Sequence, residues 1–239
     1  MGTNGLLLKS LMRQARFLVL TAAWLIIAGD GPAAARSAAA PQPWQKVMAQ
    51  AEEWLAKHAV SYAWGGSQIG SAKECQACNA CLDAKSPAPK TQLADCPECR
   101  LCSLDCSHFI SLVYRDAGYR APYLTTTMMR SLAPRVLRER YGWVTLGARP
   151  ERALPGDLLV YDGHVVMVVK VSRPGHGNVV HVTSGKEVRG PGQGIQKQRR
   201  VDFRDFRGPV LRVLRHVDLN KARIQTLRDQ RRVRRIDPG

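Results

Sequence analysis

The residue with the most distinctive chemistry in this chain is Cys106, in the run Leu104-Asp105-Cys106-Ser107-His108-Phe109-Ile110-Ser111-Leu112-Val113. An aspartate precedes it, and Phe109, Ile110, Leu112 and Val113 follow as an apolar stripe, which predicts a helix that starts at the cysteine. A thiol in the first helical turn sits at the positive end of the helix dipole, beside unpaired backbone N–H groups. That setting is expected to stabilise the thiolate, lower the cysteine pKa and make it a nucleophile. The alternative for Cys106 on these residues alone is a buried structural or disulfide-bonded cysteine.

A thiolate nucleophile needs a histidine in hydrogen-bonding reach and a third group to hold that imidazole. Of the six histidines, His164 and His181 stand apart because both lie in β-branched runs, His164-Val165-Val166-Met167-Val168-Val169 and Asn178-Val179-Val180-His181-Val182. Paired as a hairpin, these runs allow two registers. A loop at 172–177 pairs Val171 with Asn178 and sets His181 opposite Val168. A loop at 170–175 pairs Val169 with His176 and sets His181 opposite His164. Both keep the two histidines on one face, since side chains alternate with period two, but only the second brings the rings together. The second register is the expectation.

The elements around these residues follow from pattern. Residues 36–43 are an alanine- and proline-rich linker. From Pro43 to about Val60, Trp44, Val47, Met48, Ala51, Trp54 and Leu55 recur at three- and four-residue steps, an amphipathic helix. Ser61-Tyr62-Ala63-Trp64-Gly65-Gly66 follows as a turn, and residues 67–103 read as a cysteine-rich insertion loop with little periodicity. The nucleophile helix runs from Ser107 to about Ala117, and a helical stretch broken by Pro134 occupies roughly 126–140. After Pro150, Leu154-Pro155-Gly156-Asp157 turns into a strand at Leu158-Leu159-Val160-Tyr161. The two histidine runs come next, and Val210-Leu211-Arg212-Val213-Leu214 closes the set. Helices first and strands afterwards predict an α+β domain over 44–217, its nucleophile helix packed on an antiparallel sheet. Residues 218–239, with Arg223, Arg228, Arg231, Arg232, Arg234 and Arg235, read as a basic, helical but solvated tail.

Residues 1–35 have the three-part layout of a secretory signal peptide. Lys9, Arg13 and Arg16 precede the apolar run from Phe17 to Ala28, and Ala33-Ala34-Ala35 supplies small residues for cleavage. The run is shorter than the ~20 residues of a spanning helix, so the expectation is a soluble protein that is secreted or periplasmic, with an uncleaved anchor as the alternative. The chain carries 36 basic against 19 acidic residues, a net charge of +17. In an exported protein that charge points to an anionic cell-wall or membrane surface rather than to a specific nucleic acid.

Five short motifs in order resemble the NlpC-type cell-wall cysteine peptidases of papain-like fold, over about residues 44–215. Tyr62-Ala63-Trp64-Gly65-Gly66 resembles the family's tyrosine-x-tryptophan-glycine-glycine turn, and Asp105-Cys106-Ser107 its nucleophile motif. Leu154-Pro155-Gly156-Asp157-Leu158 is similar to its proline-glycine-aspartate turn, Gly163-His164-Val165 to its base motif, and Val180-His181-Val182-Thr183-Ser184-Gly185 to its third-residue motif. The resemblance implies Cys106 as nucleophile, His164 as general base and His181 as the residue orienting it, with Tyr62 beside the thiol and Asp105 and Ser107 at the substrate cleft. It implies hydrolysis of a peptidoglycan stem peptide at the bond between D-glutamate, through its γ-carboxyl, and a diamino acid. The chain departs from the family at His108, where glycine is usual, and at Val166, where a small residue is usual.

Six cysteines remain, Cys75, Cys78 and Cys81 repeating the spacing of Cys96, Cys99 and Cys102. An exported chain favours three disulfides. Cys75-x-x-Cys78 with Cys96-x-x-Cys99 also fits a structural tetrathiolate zinc site, and Cys96, Cys99, Cys102 and Cys106 are spaced like an iron–sulfur run, which would consume the nucleophile. No cofactor is required by the peptidase reading. Two other functions fit the residues: a thiol amidase or acyltransferase on another acyl substrate, and a non-catalytic wall- or metal-binding module. A protein partner is not indicated.

Overall fold

The computed structural model describes residues 41–57, 60–85, 93–183 and 194–236. The signal-peptide reading of 1–35, the linker as far as residue 40, and Ser184 and Gly185 lie outside them. Among the described residues no helix is long and apolar enough to cross a membrane.

The chain opens with α1 (Pro43–Lys57), whose Val47, Ala51 and Trp54 fall on one buried face. A turn leads to the two-residue strand β1 (Ser67–Gln68) and then to α2 (Ala72–Lys85). The segment expected to be a loop is thus helical in its first half. Cysteines at 75, 78 and 81 recur every three residues, so they lie within one stripe of that helix. A short 3₁₀ turn (Pro97–Arg100) brings Cys96 and Cys99 against this stripe, and the sulfurs pair as a ladder: Cys75–Cys102, Cys78–Cys99 and Cys81–Cys96. The tetrathiolate of Cys75, Cys78, Cys96 and Cys99 and the iron–sulfur run through Cys106 are therefore not assembled. Among the described residues no group of three or more His, Cys, Asp or Glu side chains is placed to hold a metal ion. Three disulfides suit an oxidising compartment.

After the ladder, β2 (Ser103–Leu104) pairs antiparallel with β1 and runs directly into α3 (Cys106–Asp116). Phe109, Ile110, Val113 and Tyr114 of α3 are buried; Phe109 meets Trp54 edge-on, and the Trp54 indole N–H donates to Asp116 at 3.1 Å. Two short helices follow, α4 (Thr126–Ser131), capped by the Thr125 hydroxyl, and α5 (Pro134–Tyr141). Pro134 opens the second of these, where its missing N–H costs nothing.

The rest of the chain is β3 (Trp143–Thr145), β4 (Leu158–Tyr161), β5 (His164–Arg173), β6 (His176–Val182), β7 (Ile195–Asp202), β8 (Arg212–His216) and α6 (Val217–Ile236). The six strands form one antiparallel sheet in the order β3-β8-β4-β5-β6-β7. Leu158, Val160, Val165, Met167, Val180 and Val182 join the core shared with α1 and α3. Their neighbours Leu159, Tyr161, Val166, Val168 and Val179 pack with Phe203, Val210 and Val213 on the other side. With both faces covered, these strands read as unbroken apolar runs rather than alternating ones. The architecture is α+β, as expected.

Two strands carry little sequence signal. β7, Ile195-Gln196-Lys197-Gln198-Arg199-Arg200-Val201-Asp202, is mostly polar because it is the sheet's edge, paired only through β6. β3 is three residues long, too short for periodicity to register. The tail reading from Asp218 also needs correction in part. Leu219 belongs to the same core as α1 and α3, and Arg223 donates to the Pro155 carbonyl. The first turns of α6 are thus built into the body. They close over a buried ion pair: Arg215 grips both oxygens of Asp157 at 2.8 and 2.7 Å, with Arg223 3.6 Å away. The proline-glycine-aspartate turn is in this way a structural joint between β4, β8 and α6.

Candidate active site

Asp105 sets the start of α3. Its carboxylate Oδ1 accepts from the backbone N–H of Ser107 at 2.9 Å and of His108 at 2.7 Å, and from the Ser107 hydroxyl at 2.8 Å. A cap of this kind is worth about 1 kcal/mol. The other oxygen lies 3.1 Å from Nδ1 of His108, whose ring stacks on Tyr123 at 3.8 Å. Burial alone would raise the Asp105 pKa; the donors from His108 and Ser107 outweigh it and hold the group ionised, below its usual value. His108 thus braces the cap and, through Tyr123, one wall of the cleft.

Cys106 is the free cysteine among the described residues, and it is 2% exposed. The backbone N–H groups of Val165, Cys106 and Ser107 lie close enough to its sulfur to favour the thiolate. The ladder between β5 and β6 ends at Met167↔Val180, so Val165 lies beyond its pairing with β6. The expected lowering of the thiol pKa does not occur. Burial and the Asp105 carboxylate together push it up to about 12, beyond what the three N–H donors recover. The helix start supplies the predicted donors, but the same capping residue that organises them places a negative charge beside the sulfur.

Tyr62 is brought to the site by the turn before β1. Leu104 N–H donates to the Ser61 carbonyl and Asp105 N–H to the Gly66 carbonyl, both at 2.9 Å, so the turn is stitched to the approach of α3. The two glycines of this turn serve different ends. Gly65 takes φ +81°, a conformation that L side chains rarely adopt, with open space around it. Gly66 lies so close to the Ser103 backbone that an added Cβ would sit 2.7 Å from its carbonyl carbon. Tyr62 is held protonated by burial and by the nearby Cys106 and Asp105.

The histidines meet, by a route different from the expected register. β5 and β6 pair as Met167↔Val180 and Val168↔Val179, then shift twice through bulges to reach Arg173↔His176 around the turn Pro174-Gly175. Neither proposed loop is present. A two-residue proline-glycine turn closes the hairpin, and the bulges displace the register by one residue each, so His181 is offset two positions from His164 along the strands. The rings bridge this diagonal: His164 Nε2 and His181 Nδ1 are 2.8 Å apart, with ring centroids at 5.0 Å. The turn Asp162-Gly163, tied down by an Arg130–Asp162 ion pair at 2.6 Å, places His164 at the start of β5. Burial, then the charge of Arg207, depresses His164 to about 3; burial, then His164 and Arg207, depresses His181 to about 2. Both rings are neutral at ordinary pH.

The structure thus gathers Cys106, Asp105, Ser107 and Tyr62 at the start of α3, and places His164 next in the chain to Val165, whose N–H lies close to the sulfur. No hydrogen bond joins the thiol to His164 among the described residues. A cleft opens over the thiol, lined by Trp64, Gly65, Tyr123, Thr125 and Thr126 with Asp105, Cys106 and Ser107. Tyr123, Thr125 and Thr126 carried no sequence signal, since they arrive from a loop with no motif of its own. Comparisons with known protein families, with curated proteins and with solved structures find no match for this chain.

Proposed function

We propose that this chain is an exported cysteine peptidase, of the NlpC type it resembles, which hydrolyses an amide bond of peptidoglycan stem peptides. The observation that carries the reading is the His164–His181 contact at 2.8 Å on β5 and β6, the strands against which the helix begun by the buried free Cys106 packs. With His164 donating through Nε2 to Nδ1 of His181, its Nδ1 lone pair is left to take the thiol proton. The resting pair is neutral, so proton transfer to His164 accompanies attack of Cys106 on the amide carbonyl. As the sulfur gives up its charge to the carbonyl oxygen, the N–H groups at the helix start become available to the oxyanion. Collapse breaks the C–N bond, and the amine leaves with the proton from His164. Water, deprotonated by His164, then hydrolyses the thioester, releasing the carboxylic acid and restoring the thiol.

The scissile bond proposed is that from the γ-carboxyl of D-glutamate to the diamino acid, and no cofactor takes part. The net charge of +17 suits an acidic wall polymer. Digestion of purified peptidoglycan followed by mass analysis of the fragments tests the reading. New amine and carboxyl ends at the glutamyl bond are expected with the unmutated protein and none with Cys106→Ala. Wall binding without cleavage in the unmutated protein would overturn it in favour of a binding module.

A further inference from the structure

Arg207 stands out among the cations near the site. It is exposed and has no acidic partner among the described residues, and it lies beside the histidine pair. One of its Nη groups donates to the Thr183 hydroxyl at 3.1 Å, and its guanidinium lies 5.6 Å from the ring centre of Phe206. Phe206 in turn stands edge-on to His181 at 5.4 Å, and Thr183 follows His181 by two residues, just past the end of β6. The guanidinium is thereby anchored near His181 through Thr183 and Phe206, with N–H donors that no described residue accepts. Tyr62 lies within range of its charge as well as that of Cys106. A cation here opposes the imidazolium that His164 must become, a cost that an anion arriving with the substrate offsets.

We propose that Arg207 is the receptor for a free carboxylate carried by the substrate next to the scissile amide. In a γ-linked glutamyl peptide this is the glutamyl α-carboxylate, a short aliphatic reach from the reacting carbonyl. The planar guanidinium matches a carboxylate with two parallel hydrogen bonds, which a carboxamide cannot reproduce. The assignment rests on the peptidase reading for its substrate, and the test separates the two.

Calorimetry on the full chain carrying Cys106→Ala measures binding without turnover. The probes are an alanyl-γ-D-glutamyl-diamino acid peptide and the same peptide with its glutamyl α-carboxyl converted to the amide. The free acid is expected to bind about tenfold tighter or more, the scale of a charge-assisted hydrogen bond. Adding Arg207→Gln should erase that preference by weakening only the acid, and Arg207→Lys should restore part of it. Equal binding of acid and amide, no binding of either, or an equal loss of both in Arg207→Gln would overturn the assignment. If the unmutated protein leaves the peptide uncut while the acid preference and its loss are seen, the peptidase reading fails and Arg207 as carboxylate receptor stands.

Discussion

The raised thiol pKa makes the sharpest prediction about this site. Cys106 is pushed from an ordinary 9.0 up to about 12 by burial and by Asp105. At about pH 8 an ordinary thiol is roughly one-tenth thiolate, whereas one with a pKa near 12 is roughly one part in 10⁴, a difference of about a thousandfold. Since the thiolate is the species alkylated, the rate of iodoacetamide labelling should climb about tenfold per pH unit from about pH 6 to about pH 10, with no plateau. The slope decides the matter rather than the absolute rate, because a sulfur that is 2% exposed is slowed by access as well. Asp105→Asn keeps an oxygen to cap Ser107 and His108 while removing the charge. It should displace the whole curve to lower pH and speed labelling several-fold at about pH 8. The same chain in guanidinium, with its disulfides intact, supplies the reference titration near 9. A rate that is already flat at neutral pH would mean a preformed thiolate–imidazolium pair, and would refute both the neutral resting state and the concerted proton transfer built on it.

The histidine pair makes stability depend on acid. His164 and His181 titrate at about 3 and about 2 in the folded chain against 6.5 when unfolded. Between those values the unfolded chain binds more protons, so stability is full above 6.5 and falls as pH drops. The loss should be about 1 kcal/mol per histidine per pH unit, read from urea midpoints, and roughly halved in His181→Gln; an unchanged midpoint down to about pH 5 would contradict it. The two turn glycines should fail for different reasons. Gly65→Ala should cost about 1–2 kcal/mol through its left-handed backbone alone. Gly66→Ala should cost about 1–3 kcal/mol and also cut activity, because its Cβ pushes on Ser103 and hence on the approach to Cys106. Equal, purely thermal effects of the two would count against this account of the turn. Finally, labelling in denaturant should modify one thiol before reduction and seven after. Replacing Cys75 and Cys102 together by serine should cost about 2–4 kcal/mol in thermal unfolding. Three or more thiols before reduction would remove the ladder.

Much of this arrangement is legible in local pattern. The stripes of α1 and α3 and the β-branched runs of β4, β5 and β6 declare themselves through burial on one face or both, which leaves a period in the sequence. The cap at Asp105 is equally local, since an acceptor just before an apolar run can reach the next two N–H groups. β7 escaped because an edge strand has little to bury and so carries no apolar signal. The cysteine segment read as a loop because its helix is held by sulfur rather than by an apolar face. Cys78 and Cys99 are buried together where a hydrophobic stripe would otherwise stand.

What the sequence determined by itself is the cast of the site: a capped cysteine at a helix start, a turn with two glycines, and two histidines whose strand positions share a face. These follow from contacts between residues near one another in the chain. Tertiary structure alone decided the rest. The bulges in β5 and β6 set the diagonal on which the histidine rings meet, and the packing of α3 on the sheet brings the sulfur close to the Val165 N–H, beyond the pairing with β6. The neutrality of the thiol and of both rings, and the placement of Arg207 beside them, depend on how far each group is removed from water and on which charges stand across the fold. Desolvation and long-range charge are sums over distant residues, and no local spacing encodes them.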